Sequence, residues 1–444
     1  MKILVINGSP KGKYSVTLQT VLYLQKLHPE HTFEIMNVGQ TVKSLEKDFT
    51  PAREALEKAD LILFSYPVYT FICPSQLHRF VALMKGVALR GKFVSQISTS
   101  KHFYDVTAHR YIQDNCQELG MKYVRGLSAD MDDLLTEQGQ KEAKAFFDHL
   151  IWCVQQDVYE PLPAVQPEFV PAAVTPLENA GEKPGDVVII ADLDPADTQL
   201  TAMIHRFRGA CLQKTRVVNI REYPFRGGCL GCFNCAVTGK CVYTDGFDSF
   251  LREQLQTAQA MIYAFRIQDH SLGPVFKTFN DRQFCNGHRT VTEGMPVGYL
   301  VSGPYSREFN LQMILEGRAQ VGKNFLAGIA TDEENPDAQI DALAARLDYA
   351  LKTKYVLPRN FYGVGGMKIF RDLIWLMQGM MRADHKFYKA HGHYDFPQKN
   401  RGTMLKMYLV GALLANPKVK AKMGNAMNEG MLMPYKKLFE KMER

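Results

Sequence analysis

Short apolar runs that end in polar loops recur along this chain. Lys2 to Asn7 (KILVIN) is one such run, and Val187 to Ile190 (VVII) repeats it. Apolar runs of this length, each followed by a helical pattern, are typical of strands buried on both faces of a parallel sheet. The pattern therefore predicts an α/β fold in which helices cover both faces of doubly wound parallel sheets.

The same order of strands occurs twice. Ala59 to Phe64 (ADLILF) matches Ala258 to Tyr263 (AQAMIY) at an offset of 199 residues. A similar pattern of residues links Phe93 to Ile97 (FVSQI) with Val297 to Val301 (VGYLV). We therefore predict two similar α/β units in tandem.

Prolines separate the two units. Residues 161–184 contain six of them, a spacing that excludes a continuous helix and favours an extended connection. Strand signals stop near residue 353, whereas Met367 to Met381 and Met404 to Ala415 have helical character. The predicted parts are a first unit at 1–154, a linker at 155–185, a second unit at 186–353 and a helical tail at 354–444.

Positive charge is concentrated in the tail. The chain has a net charge of +7, but residues 356–444 alone hold 16 Lys and Arg against 6 Asp and Glu, with 11 of the 20 methionines. A basic, Met-rich helical region can pack on its own domain, dock a partner or lie on an anionic membrane surface. Packing is favoured over docking, and docking over membrane contact. Nucleic acid is not expected as a partner, because base-stacking aromatics on a recognisable fold are lacking.

Targeting signals are not evident in the sequence. The first residues lack the charged, apolar and small-residue segments of a signal peptide, and no apolar run reaches the ~18 residues of a membrane span. We therefore expect a cytoplasmic protein. Asp384 and His385, with His391 and His393, could suggest a metal site, but polar surface or a helix junction is the favoured interpretation.

The loop after the first strand has the composition of a phosphate site. Residues 8–18 (GSPKGKYSVTL) lead from that strand into a helix, whose N-terminus offers backbone N–H groups to an anion. Hydroxyls and lysines add further donors and positive charge. The loop is neither G-x-G-x-x-G nor a P-loop, so it lacks the dinucleotide and nucleoside-triphosphate fingerprints. Its candidate binding residues are Ser9, Lys11, Ser15, Val16 and Thr17.

Two further loops should converge on the same place. One leaves the strand that contains Leu61 to Phe64, and the other leaves the strand that contains Phe93 to Ile97. Ligands of open α/β sheets bind at the carboxyl ends of the strands, near the point where the strand order reverses. These loops add the candidates Pro67, Val68, Tyr69, Ser98, Thr99 and Ser100.

Together these loops resemble those of flavodoxin-like NAD(P)H-dependent FMN reductases. That family has a G-S-P-R/K phosphate loop with a later N/S-x-T, and an S-P-x-Y loop beside the flavin ring. Residues 8–17 match the first and residues 67–69 the second, although Tyr66 separates Ser65 from Pro67. The resemblance implies that FMN is bound here, that it accepts hydride from NAD(P)H, and that the protein self-associates as a homo-oligomer.

Four cysteines form the sharpest local pattern in the chain. Cys229, Cys232, Cys235 and Cys241 follow the spacing C-x₂-C-x₂-C-x₅-C, with glycines between them that allow a tight turn. Iron–sulfur clusters take four thiolates, often from closely spaced cysteines, whereas structural zinc usually draws on two separated pairs. A [4Fe–4S] cluster is favoured over reduced thiols or a disulfide, and zinc is favoured least.

The cysteine spacing resembles that of iron–sulfur flavoproteins, which pass electrons between FMN and a [4Fe–4S] cluster. The second unit differs from them, because its first loop carries Asp192, Asp194 and Asp197, which would repel a phosphate. Arg266 also replaces the proline found at Pro67. We therefore expect FMN in the first unit only.

The resemblance implies an enzyme, a flavin-dependent oxidoreductase. It would take hydride from NAD(P)H onto FMN and pass electrons to a small-molecule or redox-protein acceptor, with the cluster as a relay. The alternative is a non-catalytic electron carrier that works between protein partners through FMN and the cluster.

Overall fold

The computed structural model describes residues 1–178, 181–396 and 400–414, together with Asn416 and Lys418. The described residues divide into two compact parts, one within 1–387 and one that begins at Tyr388. Over these described ranges, no helix is both long and apolar enough to cross a membrane.

The first sheet is parallel throughout. Its strands are β1 (Lys2–Asn7), β2 (Thr32–Met36), β3 (Leu61–Pro67), β4 (Phe93–Ser100), β5 (Lys122–Tyr123) and β6 (Leu127–Asp130). They lie in the order β2-β1-β3-β4-β5, and β6 pairs with β4 beyond the end of β5. This is the strand order of the flavodoxin-like fold, in which the order reverses between β1 and β3.

The second sheet repeats the first. Its strands are β7 (Val187–Ala191), β8 (Thr215–Asn219), β9 (Ala260–Arg266), β10 (Pro296–Ser302) and β11 (Phe325–Thr331). All pairs are again parallel, in the order β8-β7-β9-β10-β11. The prediction of two tandem flavodoxin-like units is confirmed. We call the elements within residues 2–156 the first half and those within 187–353 the second half.

Helices cover both faces of each sheet. The first half contains α1 (Val16–Leu27), α2 (Val38–Leu45), α3 (Thr50–Lys58), α4 (Ser75–Met84), α5 (Asp105–Glu118) and α6 (Glu137–Gln156). The second contains α7 (Thr198–Ala210), α8 (Asn234–Thr238), α9 (Phe247–Ser249), α10 (Gly273–Arg282), α11 (Phe309–Gly322) and α12 (Pro336–Thr353). The alternating inner residues of β1, such as Leu4 and Val5, enter separate cores on the two faces.

Two strands of the first sheet run further than the sequence pattern indicated. The pattern ended them at Phe64 and Ile97, but β3 continues to Pro67 and β4 to Ser100. Tyr66 is the cause in β3, because its ring is buried and its hydroxyl donates to the Ala108 carbonyl at 3.2 Å. The candidate hydroxyls at 98–100 therefore belong to a strand end rather than to a loop.

The linker and the tail have the predicted local structure. Residues 158–178 contain neither helix nor strand. The tail forms α13 (Phe361–Leu376), α14 (Arg382–Ala390) and α15 (Arg401–Leu414), and Ala415, the predicted end of the last helix, lies outside the described residues. The domain boundaries at 154, 185 and 353 stay predictions.

Candidate functional site

A single cavity of about 420 Å³ joins the loops of the first half to the cysteine segment of the second. The first half contributes residues that follow β1, β3 and β4, and the second contributes residues around Cys229 and Arg282. Helix α13 adds Ile369, Phe370 and Leu373, although the sequence placed it in a separate tail. The predicted site residues that line this cavity are Ser9, Lys11, Ser15, Val16, Thr17, Pro67, Val68, Tyr69, Thr99, Ser100, Cys229, Cys232, Cys235 and Cys241.

Asn7 holds the loop between β1 and α1 in shape, a role that the sequence analysis missed. Its side-chain amide donates to the Gly12 carbonyl at 3.0 Å, and its oxygen accepts the Ser9 N–H at 3.2 Å. Gly12 has a positive φ of 54°, a conformation that favours glycine. A buried polar side chain at the last position of an apolar strand is the signal that could have identified Asn7.

Helix α1 begins at the cavity. Ser15 caps it by accepting the Leu18 N–H at 3.4 Å, and Val16 is its first residue. The unpaired backbone N–H groups of this first turn and the helix dipole favour an anion. The Thr17 hydroxyl lies 2.6 Å from that of Thr99, so the first and third loops meet through their side chains.

The second loop is tightly folded. Tyr69 and Ile72 exchange two backbone hydrogen bonds, at 2.7 and 3.1 Å. Between them, Thr70 and Phe71 have positive φ angles of 40° and 74°, which strain residues with side chains. Burial raises the pKa of the Tyr69 hydroxyl, so it remains a neutral hydrogen-bonding group at the cavity wall.

Ser98 is not among the side chains that line the cavity. Its hydroxyl lies 2.8 Å from Nε2 of His109 on α5. Burial lowers the pKa of His109 to about 4, so the ring is neutral at physiological pH. Thr99 points to the face opposite Ser98 and reaches the cavity, and Ser100 reaches it as the last residue of β4.

The four clustered cysteines line the same cavity as the loops of the first half. The Gly231 N–H donates to Cys229 Sγ at 3.4 Å, and the Cys229 carbonyl accepts from Gln76 of the first half at 3.2 Å. Burial raises the pKa of the Cys229 thiol, and that of Cys235 to about 11, whereas Cys232 is exposed. No three His, Cys, Asp or Glu side chains of the described ranges are grouped closely enough to hold a metal ion.

Arg282 forms a positive wall beside the cysteines. Its side chain is buried, its guanidinium lies over the Tyr243 ring at 4.4 Å, and two of its nitrogens bind Asp245 at 2.7 Å. Burial raises the pKa of Asp245, but hydrogen bonds from Arg282 outweigh this and hold the pKa at about 2. The buried Nε of Arg282 has no hydrogen-bond partner among the residues that the structure describes.

The equivalent edge of the second sheet has a different surface. Asp192, at the end of β7, is buried and paired with Arg221, which also binds Asp194 at 3.1 Å. The proline-rich linker crosses this edge. The Ala172 N–H donates to the Asp332 carbonyl at 2.8 Å, and the Pro167 carbonyl accepts from Arg307 at 2.6 Å.

Asp384 of the tail binds the protein rather than a metal group. Its carboxylate accepts the His288 N–H at 3.3 Å and lies 3.5 Å from the Arg289 guanidinium. The buried Asp384 carboxylate lies against the turn at Gly287. A Cβ added at Gly287 would lie only 2.3 Å from Asp384 Oδ1.

The first sheet lies in a segment that matches a known protein family. Residues 1–132 match the family model of NADPH-dependent FMN reductases. The match covers less than a third of the 444 residues, and all of it lies in the first half. The similarity to FMN reductases therefore spans β1, β3, β4 and the loops that follow them. No curated protein matches the chain.

Solved structures of flavoproteins are similar to about a third of the chain. General stress protein 14 of Treponema denticola, in complex with FMN, is 15% identical over 35% of this chain and 99% of its own, with a TM-score of 0.27. FerB of Paracoccus denitrificans, a flavoenzyme NAD(P)H:(acceptor) oxidoreductase, is 17% identical over 35% of this chain and 97% of its own, with a TM-score of 0.30. The NAD(P)H:quinone oxidoreductase of Methanothermobacter marburgensis is 11% identical over 36% and 98%, with a TM-score of 0.28. These TM-scores are too low to carry an argument, so the assignment rests on strand order and the family match.

Proposed function

We propose that the protein is an NAD(P)H-dependent FMN oxidoreductase. The FMN binds in the first half and takes hydride from NAD(P)H, and its electrons pass to a quinone-like or other redox acceptor. The observation that carries the proposal is the meeting of three loops at one cavity, within the segment that matches the FMN reductase family. When bound, the flavin supplies the redox chemistry, and the protein supplies binding, orientation and electrostatics.

The residues of the first loop fit a phosphate. The first turn of α1 offers backbone N–H groups, Ser9 and Ser15 offer hydroxyls, and Lys11 offers a positive charge at the cavity wall. The Lys11 ammonium lies 5.3 Å from the centre of the Phe233 ring and has no carboxylate partner among the described ion pairs. It can therefore approach an anion without first breaking a salt bridge.

The residues of the second and third loops fit a flat ring. Pro67, Val68 and Tyr69 form one wall, and Thr99 and Ser100 contribute hydroxyls from the neighbouring strand. Phe103 and Phe370 add hydrophobic side chains to the lining of the same cavity. We infer that these residues orient the flavin and shield it, while one face stays open to NAD(P)H.

We further propose that Cys229, Cys232, Cys235 and Cys241 hold a [4Fe–4S] cluster that relays electrons from the flavin. All four cysteines line one cavity, although the described side chains are not grouped closely enough to hold a metal, so a four-thiolate ligand set would require the cysteine segment to close around the cluster. The orphaned Nε–H of Arg282 and the N–H of Gly231 are donors of the kind that stabilise cluster sulfur. Burial keeps the thiols of Cys229 and Cys235 protonated, so loading the cluster must release protons.

Steady-state oxidation of NADH and NADPH, with a quinone as acceptor, tests the proposed activity. Ser15→Asp places a negative charge where the phosphate should bind and should abolish both FMN retention and turnover. Asp194→Ser, which changes the corresponding loop of the second half, is the matched control and should retain both. A protein that binds FMN but does not oxidise either nucleotide would instead be an electron carrier.

A further inference from the structure

The two halves pack against each other through equivalent surfaces. Helix α10 of the second half packs on α4 of the first, and α11 packs on α5. The His78 side chain lies 2.7 Å from Asp269 across this contact, and both are fully buried. On the other side of the contact, Lys277 binds Thr70.

These two contacts are related by the internal repeat. The offset of 199 residues that relates β3 to β9 also relates His78 to Lys277 and Thr70 to Asp269. Each helix therefore reaches across to the loop of the opposite half, which is the reciprocal pattern of a two-fold symmetric dimer. Asp269 and His270 even share the positive φ angles of Thr70 and Phe71, at 47° and 56°.

One contact departs from this symmetry, and it faces the proposed flavin site. Asp281 of α10 accepts the Ser75 N–H at 2.7 Å and also binds the Thr70 hydroxyl and Lys277. The offset places Ala82 at the matching position of α4, so the first half returns no such carboxylate. The second half thus holds the loop of the first half with a carboxylate that has no counterpart on α4.

Burial makes this contact rigid. The side chains of Lys277 and Asp281 are both inaccessible to solvent. Lys277 donates to the Tyr69 carbonyl at 2.8 Å, so the cavity wall itself is held from the second half. Strained backbone such as that of Thr70 and Phe71 persists only where the surroundings enforce it, and here Asp281 binds the loop at Thr70 and at Ser75.

We propose that Lys277 and Asp281 are positioning residues of the flavin site, and that the second half serves in cis as the partner that completes this site. The inference rests on the proposed function, because it assumes that FMN binds beside the loop at 67–72. It gives a function to the second half, in which the loop after β7 is acidic and unsuited to a phosphate. It also means that the α4 and α5 face of the first half is covered within the chain.

Asp281→Asn in the full chain tests the proposal, with Asp269→Asn as the matched control. Both changes neutralise a buried carboxylate in the same interface, but only Asp281 holds the loop beside the flavin. Asp281→Asn should weaken FMN binding about tenfold or more, since a charge-assisted hydrogen bond is lost. With FMN saturating, it should also slow flavin reduction by NAD(P)H and alter the visible circular dichroism of the bound flavin. Asp269→Asn should leave all three properties unchanged.

A second variant guards against misfolding. Asp281→Asn leaves Lys277 buried without its counter-charge, so Lys277→Met with Asp281→Asn removes both charges together. If this double variant folds and binds and reduces FMN like the unaltered protein, the positioning role is wrong. Equal effects of the Asp281 and Asp269 changes would also overturn it, because they would indicate general loosening of the interface. If the unaltered protein binds no FMN, the proposed function fails instead.

Discussion

The protonation of single buried residues is controlled by their surroundings. His109 is the clearest case, because burial lowers its pKa to about 4 and its ring meets Ser98. Between about pH 4 and about pH 6.5 the unfolded chain binds a proton that the folded chain does not. The free energy of unfolding should therefore fall as the pH is lowered through this window, by up to about 1.4 kcal/mol per pH unit from this group.

His109→Gln should remove that contribution. Urea unfolding of both proteins at several pH values across the window measures it directly. The variant should show a shallower loss of stability on acidification, although it is less stable than the unaltered protein at neutral pH. Parallel curves for the two proteins would mean that His109 is not buried in its neutral form.

The cysteines also differ from one another in burial. Cys232 is exposed at the cavity, whereas Cys73 is buried in the core of the first half. Cys232→Ala should remove most iron and sulfide from anaerobically prepared protein, expected at about four of each per chain. Cys73→Ala should retain both. Stoichiometric zinc, or no metal in the unaltered protein, would contradict the cluster.

At the scale of elements, α13 is a wall of the cavity. Gly366 lies against the first half and α11, where an added Cβ would meet Val321 at 2.6 Å and Phe103 at 3.0 Å. The neighbouring Gly365 has no atom within 4 Å of such a Cβ. The same substitution at adjacent positions of one helix should therefore have opposite effects.

Gly365→Ala should stabilise the protein by about 0.5–1 kcal/mol, because alanine favours the helix. Gly366→Ala should destabilise it by about 1–3 kcal/mol through overpacking, and should weaken FMN binding because Phe103 and Phe370 line the cavity. Thermal unfolding and FMN titration of both variants measure these effects. If Gly366→Ala is as stable as Gly365→Ala, α13 does not pack here as described.

Sequence patterns predicted the main elements of the fold but not the contacts between distant residues. The two parallel sheets and the convergence of three loops followed from apolar runs and loop composition near each strand. The contacts of Lys277, Asp281 and Asp384 did not, because each joins residues that lie more than 90 positions apart. Asn7 and Ser98 were misjudged for a local reason. Both lie in strands, where the face and the distance from the strand end together determine which polar side chain reaches the cavity, and the sequence pattern ended β4 too early.

At the scale of the whole molecule, we propose one flavin site built from two similar halves. The first half provides the loops, and the second provides the cysteines and the residues that hold the loop at 67–72. At the carboxyl edge of its own sheet, the second half has the buried Asp192 and the crossing linker in place of a phosphate loop. We expect the carboxylate to oppose a second flavin through its charge, and the linker to oppose it by occupying the edge.

The most direct test is the amount of flavin released from the full chain after saturation with FMN and removal of the excess. We expect one FMN per chain, which should be lost in the Ser15→Asp variant and retained in the Asp194→Ser variant. Two FMN per chain would contradict the asymmetry between the halves. No FMN, or FMN that survives Ser15→Asp but is lost on Asp194→Ser, would contradict the assignment of the flavin to the first half.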